Sequence, residues 1–278
     1  MNSIRELLAT AVTELPDDIA ADAPLLLAHV LGKDRCWLYA WPEYPLDSAQ
    51  LGRYRSLLQR RLHGEPLAYL TGYREFWSLQ LRITPDVLIP RPETELLVET
   101  ALDLPVESTQ IQVLDLGTGS GAISLALASE RRQWQLLATD ISRNALKLAA
   151  KNAEQHHISN IHFVCSHWFQ ELDADSRYHL ILSNPPYIAE GDPHLLEDGL
   201  PHEPASALTA GSDGLNDLRS IIHAAPGFLH PGGWLLVEHG MDQGAAVRQL
   251  FARSGLCRIK TRQDLECRDR ITLGCYSR

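Results

Sequence analysis

The chain has 278 residues and a formal charge of −10, with 25 lysines and arginines against 35 aspartates and glutamates. That length allows one large domain, or a small one beside a medium one, and 45% hydrophobic with 22% charged residues is ordinary for a soluble globular protein. The acidic balance argues against broad, non-specific binding to nucleic acid or anionic membrane, although it leaves room for a local basic stripe. No run of about 18 apolar residues occurs, and the amphipathic opening lacks the apolar core of a secretory signal. The five cysteines show no Cys-x-x-Cys spacing and the twelve histidines no His-Glu-x-x-His, so a cytoplasmic protein without a metal site is expected.

Residues 1–72 carry helical patterns only. Ile4, Leu7, Leu8, Val12 and Leu15 repeat at helical spacing, a second helix runs from Asp17-Asp18 to Gly32, and a short third holds Trp37 and Trp41. A basic fourth helix runs from Asp47 to His63 with Gly64 as its stop, and its Arg53, Arg55, Arg60 and Arg61 form either a solvated face or a docking surface. The texture changes in residues 73–91, where alternating residues and then prolines predict a hairpin or extended linker. A helix started at Pro92 or capped by Thr94 should then open a third region, residues 92–278.

From Ile111 onward, strands and helices alternate. "IQVLDLG", "WQLLATD", "IHFVCS", "YHLILSN" and "GGWLLVEHG" read as strands, and "CRIKTRQD" with "RITLGCYS" reads as a terminal antiparallel pair. "LNDLRSIIHAAPGFL" reads as a single helix. Crossover helices between strands imply an α/β fold with a doubly wound, mostly parallel sheet and a terminal antiparallel strand, behind a small all-α bundle.

Two strand ends carry the chemistry. After the first strand of the sheet, "VLDLGTGSGAIS" sets Gly117, Thr118, Gly119, Ser120 and Gly121 before a helix. Such a loop lets a cofactor approach the backbone, and the helix N-terminus offers free N–H groups. Asp140 ends the next strand, where a carboxylate suits the ribose diol of NAD or of an adenosine cofactor equally. Asp115 tips the balance by its spacing, without closing the NAD alternative: a carboxylate at this loop would repel a pyrophosphate and attract a cationic amino-acid cofactor such as S-adenosylmethionine.

The second strand end is "SNPPY". Asn184 precedes a proline and is driven out of the helical region, and the prolines fix their own φ. The Asn184 side-chain oxygen and the Pro185 carbonyl then stand as two positioned acceptors for a planar NH₂ group, whose flat face Tyr187 can cover.

These motifs resemble class I S-adenosylmethionine-dependent methyltransferases that modify planar amino groups. With "REFWSL", "LIPRPETE" and "EPASALTAGSDGL", the whole chain is similar to the HemK/PrmC family of protein-(glutamine-N5) methyltransferases. The resemblance implies a seven-stranded methyltransferase sheet, S-adenosylmethionine as cofactor, with S-adenosylhomocysteine as product, and the Gly-Gly-Gln glutamine of peptide chain release factors as acceptor. It assigns Gly117–Gly121, Asp140, Trp168 and Asn184 to the cofactor, with Trp168 at the adenine, although its context is equally that of a core aromatic. Asn184, Pro185, Pro186 and Tyr187 would hold the glutamine, and the helical bundle would dock the release factor. A monomer with no direct nucleic-acid or membrane partner is expected. Ribosomal-protein glutamine methyltransferases share Asn-Pro-Pro-Tyr but differ after "IPR". A nucleic-acid adenine-N6 methyltransferase would need a basic surface to extract its base, and an NAD-dependent oxidoreductase would leave "NPPY" unexplained.

Overall fold

Capped helices account for the N-terminal part of the chain. In the computed structural model, which describes residues 3–106, 108, 110–197 and 199–277, α1 (Ile4–Glu14) starts on a capping box. The Ser3 hydroxyl accepts from the Glu6 N–H, and Glu6 Oε2 accepts from the Ser3 N–H at 3.1 Å. Next come α2 (Asp17–Leu31), α3 (Arg35–Ala40), and α4 (Ser48–Leu62), itself opened by an Asp47/Gln50 capping box. A further helix, α5 (Leu67–Thr71), was not anticipated, because its five residues are too few for a period to show. Trp41 falls just past the end of α3.

Apolar stripes from these helices, including Ile4, Leu26, Leu27, Leu38 and Tyr54, bury one another in a separate core. Residues up to Tyr73 form one unit together with Leu196–His202, and Arg74–Leu195 with the chain from Glu203 onward form a second. On α4, Arg61 donates to Asp22 at 2.8 Å and Arg60 pairs with Glu65, whereas Arg53 and Arg55 are exposed.

From Tyr73 the chain forms a hairpin of β1 (Tyr73–Phe76) and β2 (Leu79–Arg82), all of which but Tyr73 belongs to the second unit. Its two turn residues, Trp77 and Ser78, take φ of 51° and 59°, the left-handed pair that a tight hairpin demands and glycine or asparagine normally supplies. Glu95 Oε1 holds this turn by accepting the Trp77 N–H at 2.8 Å. Pro92 opens a 3₁₀ turn at Pro92–Thr94 that leads into α6 (Glu95–Asp103), as expected of a helix-starting proline, whereas Thr94 stands at the cap position without capping, its side chain making no hydrogen bond to the helix.

The sheet is built from β3 (Gln112–Leu116), β4 (Gln135–Asp140), β5 (Ile161–Cys165), β6 (Tyr178–Ser183), β7 (Leu229–Glu238), β8 (Leu256–Gln263) and β9 (Asp269–Tyr276). Its order is β5-β4-β3-β6-β7-β9-β8, parallel throughout except where β9 runs antiparallel to β7 and β8. This is the mostly parallel seven-stranded sheet that the alternation predicts. β7 begins at Leu229, earlier than its sequence suggests, and the preceding α9 (Asn216–Ala224) gives way to a 3₁₀ turn at Ala225–Phe228, which contains Pro226.

Leu114, Leu116, Ile181, Leu235 and Val237 of the central strands pack with Leu218, Ile221 and Ile222 of α9 in one buried cluster. Phe251, from α10 (Gly244–Arg253), joins them. Strand order reverses between β3 and β6, the switch point beside which ligands of open α/β sheets sit.

Candidate active site

A cavity of about 290 Å³ opens at that switch point. Gly117, Thr118, Gly119 and Ser120 from the loop after β3 line it, as do Ala122 and Ile123 from the first turn of α7 (Ala122–Glu130). Asp140 ends β4 and Ser142 follows it, Trp168 follows β5, and Asn184 and Pro186 follow β6. Gly121, Pro185 and Tyr187 are not among the lining residues. Sequence reasoning missed much of the remaining lining, which comes from Asp86–Leu88, Pro90, Thr94, Pro204, Ser206, Ala207 and Asp217.

The glycine loop turns through φ of 72°, 55° and 87° at Gly117, Gly119 and Gly121, values that other residues adopt only with strain. Asp140 holds it: Oδ2 accepts the Gly119 N–H at 2.9 Å and Oδ1 accepts the Ser142 N–H at 2.8 Å. Burial raises the Asp140 pKa against the pull of these two bonds. The cap of α8 (Arg143–Gln155) is Ser142, whose hydroxyl accepts from Ala145, so Asp140 keeps a lone pair on each oxygen for a ligand in the cavity. From α8, the buried Asn152 donates to the Ser120 carbonyl at 2.9 Å and exchanges two hydrogen bonds with the Arg82 backbone. It thereby ties the hairpin to the loop.

Asp115 does not do what its position suggests. It is fully buried beneath the loop and is not part of the cavity wall. Its Oδ2 accepts from the Thr118 hydroxyl at 2.6 Å, and burial pushes its pKa up to about 6 against the pull of Thr118 and Ser124. The charge argument for a cationic cofactor therefore has no direct contact behind it; the loop's anionic wall group is Asp140. The Trp168 indole lies along Gly117, and its Nε1–H donates to Asp217 Oδ1 at 3.3 Å. In sequence, Asp217 looks like an ordinary acid in the first turn of a helix, which is why it escaped notice. Its pKa is raised by burial and lowered by Trp168 and His167.

Asn184 Nδ2–H donates to Thr94 Oγ1 at 3.1 Å, and the Tyr187 hydroxyl donates to Glu238 Oε1 at 3.1 Å. Burial raises the Tyr187 pKa, with the Glu238 charge acting in the same direction. The stretch "EPASALTAGSDGL" braces this segment. Ile188 N–H donates to the Leu208 carbonyl at 2.9 Å, Ala210 N–H to the Ile188 carbonyl at 3.0 Å, and Glu190 N–H to the Gly211 carbonyl at 2.9 Å. Gln243 Nε2 donates to the Tyr187 carbonyl at 2.9 Å. Glu203 pairs with Arg91 and accepts the Ile89 N–H at 3.0 Å, joining this stretch to "LIPRPETE".

Gly214 is the tightest point. A Cβ there would lie 2.2 Å from the Tyr187 carbonyl oxygen, at a φ of +69°. Gly214→Ala is expected to displace the Asn184–Tyr187 segment and lower kcat at least about tenfold through misplaced acceptors. Steady-state kinetics check this, and wild-type rates would refute it.

Two buried carboxyls also predict how stability responds to pH. Asp115 and Glu238 have folded pKa values raised to about 6 and about 7. Each binds its proton more tightly when folded, so stability is greatest below the unfolded values near 4 and falls as pH rises through the folded ones. Urea unfolding should show a decline on the order of 1–3 kcal/mol between pH 5 and 8; stability that climbs over that range would contradict it.

Comparison with known proteins follows the same lines. The PrmC N-terminal domain family matches residues 3–72, and the methyltransferase small domain family matches residues 92–259. A release factor glutamine methyltransferase of Xylella fastidiosa is 49% identical over 267 residues, 96% of each chain. Those of Pseudomonas aeruginosa and Coxiella burnetii are each 49% identical, over 95% and 92% of this chain and 96% and 90% of theirs.

The chain belongs to the release factor glutamine methyltransferase family.

At the level of fold alone, the hMettl16 catalytic domain bound to an RNA hairpin aligns with TM-score 0.58 at 17% identity, over 85% of this chain and 83% of that one. The Thermus thermophilus 16S rRNA N2 G1207 methyltransferase aligns with TM-score 0.55 at 19% identity, over 74% and 50%.

S-adenosylmethionine is the cofactor of this methyltransferase family, and the cavity fits it. Nothing lies within 4 Å of where a Gly119 Cβ would stand, which leaves the loop backbone open to close approach. Asp140 retains acceptor capacity for the ribose hydroxyls, Trp168 offers a flat face, and the start of α7 offers backbone N–H groups.

Proposed function

We propose that this chain transfers a methyl group from S-adenosylmethionine to the side-chain amide nitrogen, N5, of the glutamine in the Gly-Gly-Gln motif of peptide chain release factors. The observation that carries this reading is the position of Asn184 in the wall of the same cavity as Asp140 and the glycine loop, with one N–H of its amide directed to Thr94. Bound in the cavity, the cofactor supplies an electrophilic methyl carbon.

The protein's task is to make a poor nucleophile attack. An amide nitrogen has a delocalised lone pair, so the site must orient it and stabilise the positive charge that develops on it. The Asn184 Oδ1 and the Pro185 carbonyl accept the two N–H groups of the glutamine amide, which aims its nitrogen at the methyl group; with the methyl group transferred and S-adenosylhomocysteine left, one of these two protons is released to solvent. Tyr187 and Pro186 flank the amide plane, and Asp140 anchors the cofactor.

The helical region, residues 1–72, is assigned to docking the rest of the release factor, residues 73–91 to the linker, and residues 92–278 to catalysis. Because Arg60 and Arg61 are engaged within the bundle, the exposed Arg53 and Arg55 are the better docking candidates on α4. We read the protein as a cytoplasmic monomer with no direct nucleic-acid or membrane partner; among the described residues, no helix is long and apolar enough to cross a membrane.

The test offers purified, unmodified release factor, ribosomal protein and RNA side by side with methyl-labelled S-adenosylmethionine. Label in the release factor supports the reading. Label confined to ribosomal protein or RNA would replace the substrate while keeping the fold and cofactor.

A further inference from the structure

We infer that Glu238 and Thr94 are positioning residues that lock the Asn184 amide with its oxygen turned toward the substrate, and that the same carboxylate fixes Tyr187. This rests on the proposed glutamine reading, which it deepens. The Thr94 hydroxyl donates to Glu238 Oε2 at 2.8 Å, Asn184 Nδ2 donates to the Thr94 oxygen at 3.1 Å, and the Tyr187 hydroxyl donates to Glu238 Oε1 at 3.1 Å. Glu238 and Thr94 are buried.

Counting protons removes the ambiguity of the amide. An ionised carboxylate only accepts, and a threonine hydroxyl has a single proton. With that proton given to Glu238, the Thr94 oxygen can only accept, so the Asn184 atom facing it must be the nitrogen. Turning the amide over would set the Asn184 oxygen against the oxygen of the buried Thr94, two acceptors facing each other in place of a hydrogen bond. The oxygen of Asn184 is therefore left free for the incoming N–H. One side chain at the end of β7 thus holds both polar side chains of "NPPY", across 144 residues to Thr94 and 51 to Tyr187.

The lock depends on charge. A protonated Glu238 could donate to Thr94, whose own proton would then turn toward Asn184 and favour the flipped amide. The groups acting on Glu238 are the Thr94 and Tyr187 hydroxyls and Arg270, which favour its ionised form, and Glu93, which opposes it. The charges of Arg91 and Arg270 act on Tyr187 against the effect of burial. The neighbouring His239 is occupied with Thr272 and the Gly240 carbonyl. Burial outweighs the favourable contacts and raises the Glu238 pKa to about 7.

Two readouts test the lock. In kinetics, Glu238→Gln and Thr94→Val should each lower kcat about tenfold or more while the Kd for S-adenosylmethionine stays within about threefold. Thr94→Ser should restore most of the rate lost in Thr94→Val. Wild-type kcat should fall as pH drops through about 7, and that limb should vanish in Glu238→Gln. The second readout needs no substrate: the ¹⁵N side-chain signal of Asn184, assigned by its loss in Asn184→Ala, should titrate near pH 7 in the wild type and stay flat in Glu238→Gln. Undiminished kcat in Thr94→Val, or the same Asn184 titration in Glu238→Gln, would overturn the inference. If the release factor is not methylated by the wild type while the Asn184 signal behaves as expected, the lock stands and the substrate assignment falls.

Discussion

Asn184→Ala is expected to lower methyl transfer by roughly 10²–10³ while leaving the affinity for S-adenosylmethionine within about tenfold. Asn184 lines the cavity, and its replacement removes one of the two acceptors proposed to orient the substrate amide. It also removes the N–H that Thr94 accepts at 3.1 Å, while the Thr94 proton stays on Glu238. The loss should appear mainly in kcat, since the lost contacts strengthen as positive charge develops on the nitrogen. Asn184→Asp is a sharper form of the same test. It keeps an acceptor toward the substrate but sets a carboxylate oxygen against the Thr94 oxygen, so it should also be severely impaired. Calorimetry with the cofactor and single-turnover kinetics with substrate separate the two effects, and wild-type turnover in Asn184→Ala would overturn the mechanism.

Asp140→Ala is expected to weaken S-adenosylmethionine binding by about 1–3 kcal/mol, toward the upper end of that range. The carboxylate would lose its bonds to the ribose, and the free protein would lose the clamp on Gly119 at 2.9 Å and Ser142 at 2.8 Å. The glycine loop would then have to be ordered at the cofactor's expense. Asp140→Asn separates these contributions, because its amide keeps one acceptor and turns a donor toward one of the two backbone N–H groups. Its affinity should fall as well. An unchanged calorimetric affinity in Asp140→Ala would remove this residue from the cofactor site.

Local patterns in the sequence revealed the strand ends and little of what stands behind them. That Gly117, Thr118, Gly119, Ser120, Asp140 and Asn184 stand at strand ends, where the structure brings them to one cavity, was legible directly, because glycine and proline constrain the backbone wherever they stand and a strand end is a local event. Asp115 misled for the same reason. Its spacing is that of a site residue, but whether a side chain faces the cavity or the core depends on packing, and this one is buried under the loop. Asn152, Thr94, Glu238 and Asp217 could not be found from local pattern. Thr94 meets Asn184 across 90 residues and Glu238 across 144, and no periodicity records such a meeting. "EPASALTAGSDGL" was known only as a mark of resemblance, and the structure supplies its physical role: it runs beside Ile188 and needs Gly214 to let Tyr187 pass.

The measurement that bears most directly on the central claim is tandem mass spectrometry of unmodified release factor after incubation with this protein and S-adenosylmethionine. The expected result is one added methyl group, carried on the side-chain amide of the Gly-Gly-Gln glutamine and missing when the enzyme carries Asn184→Ala. A methyl group on any other residue, or undiminished methylation by Asn184→Ala, would contradict the account.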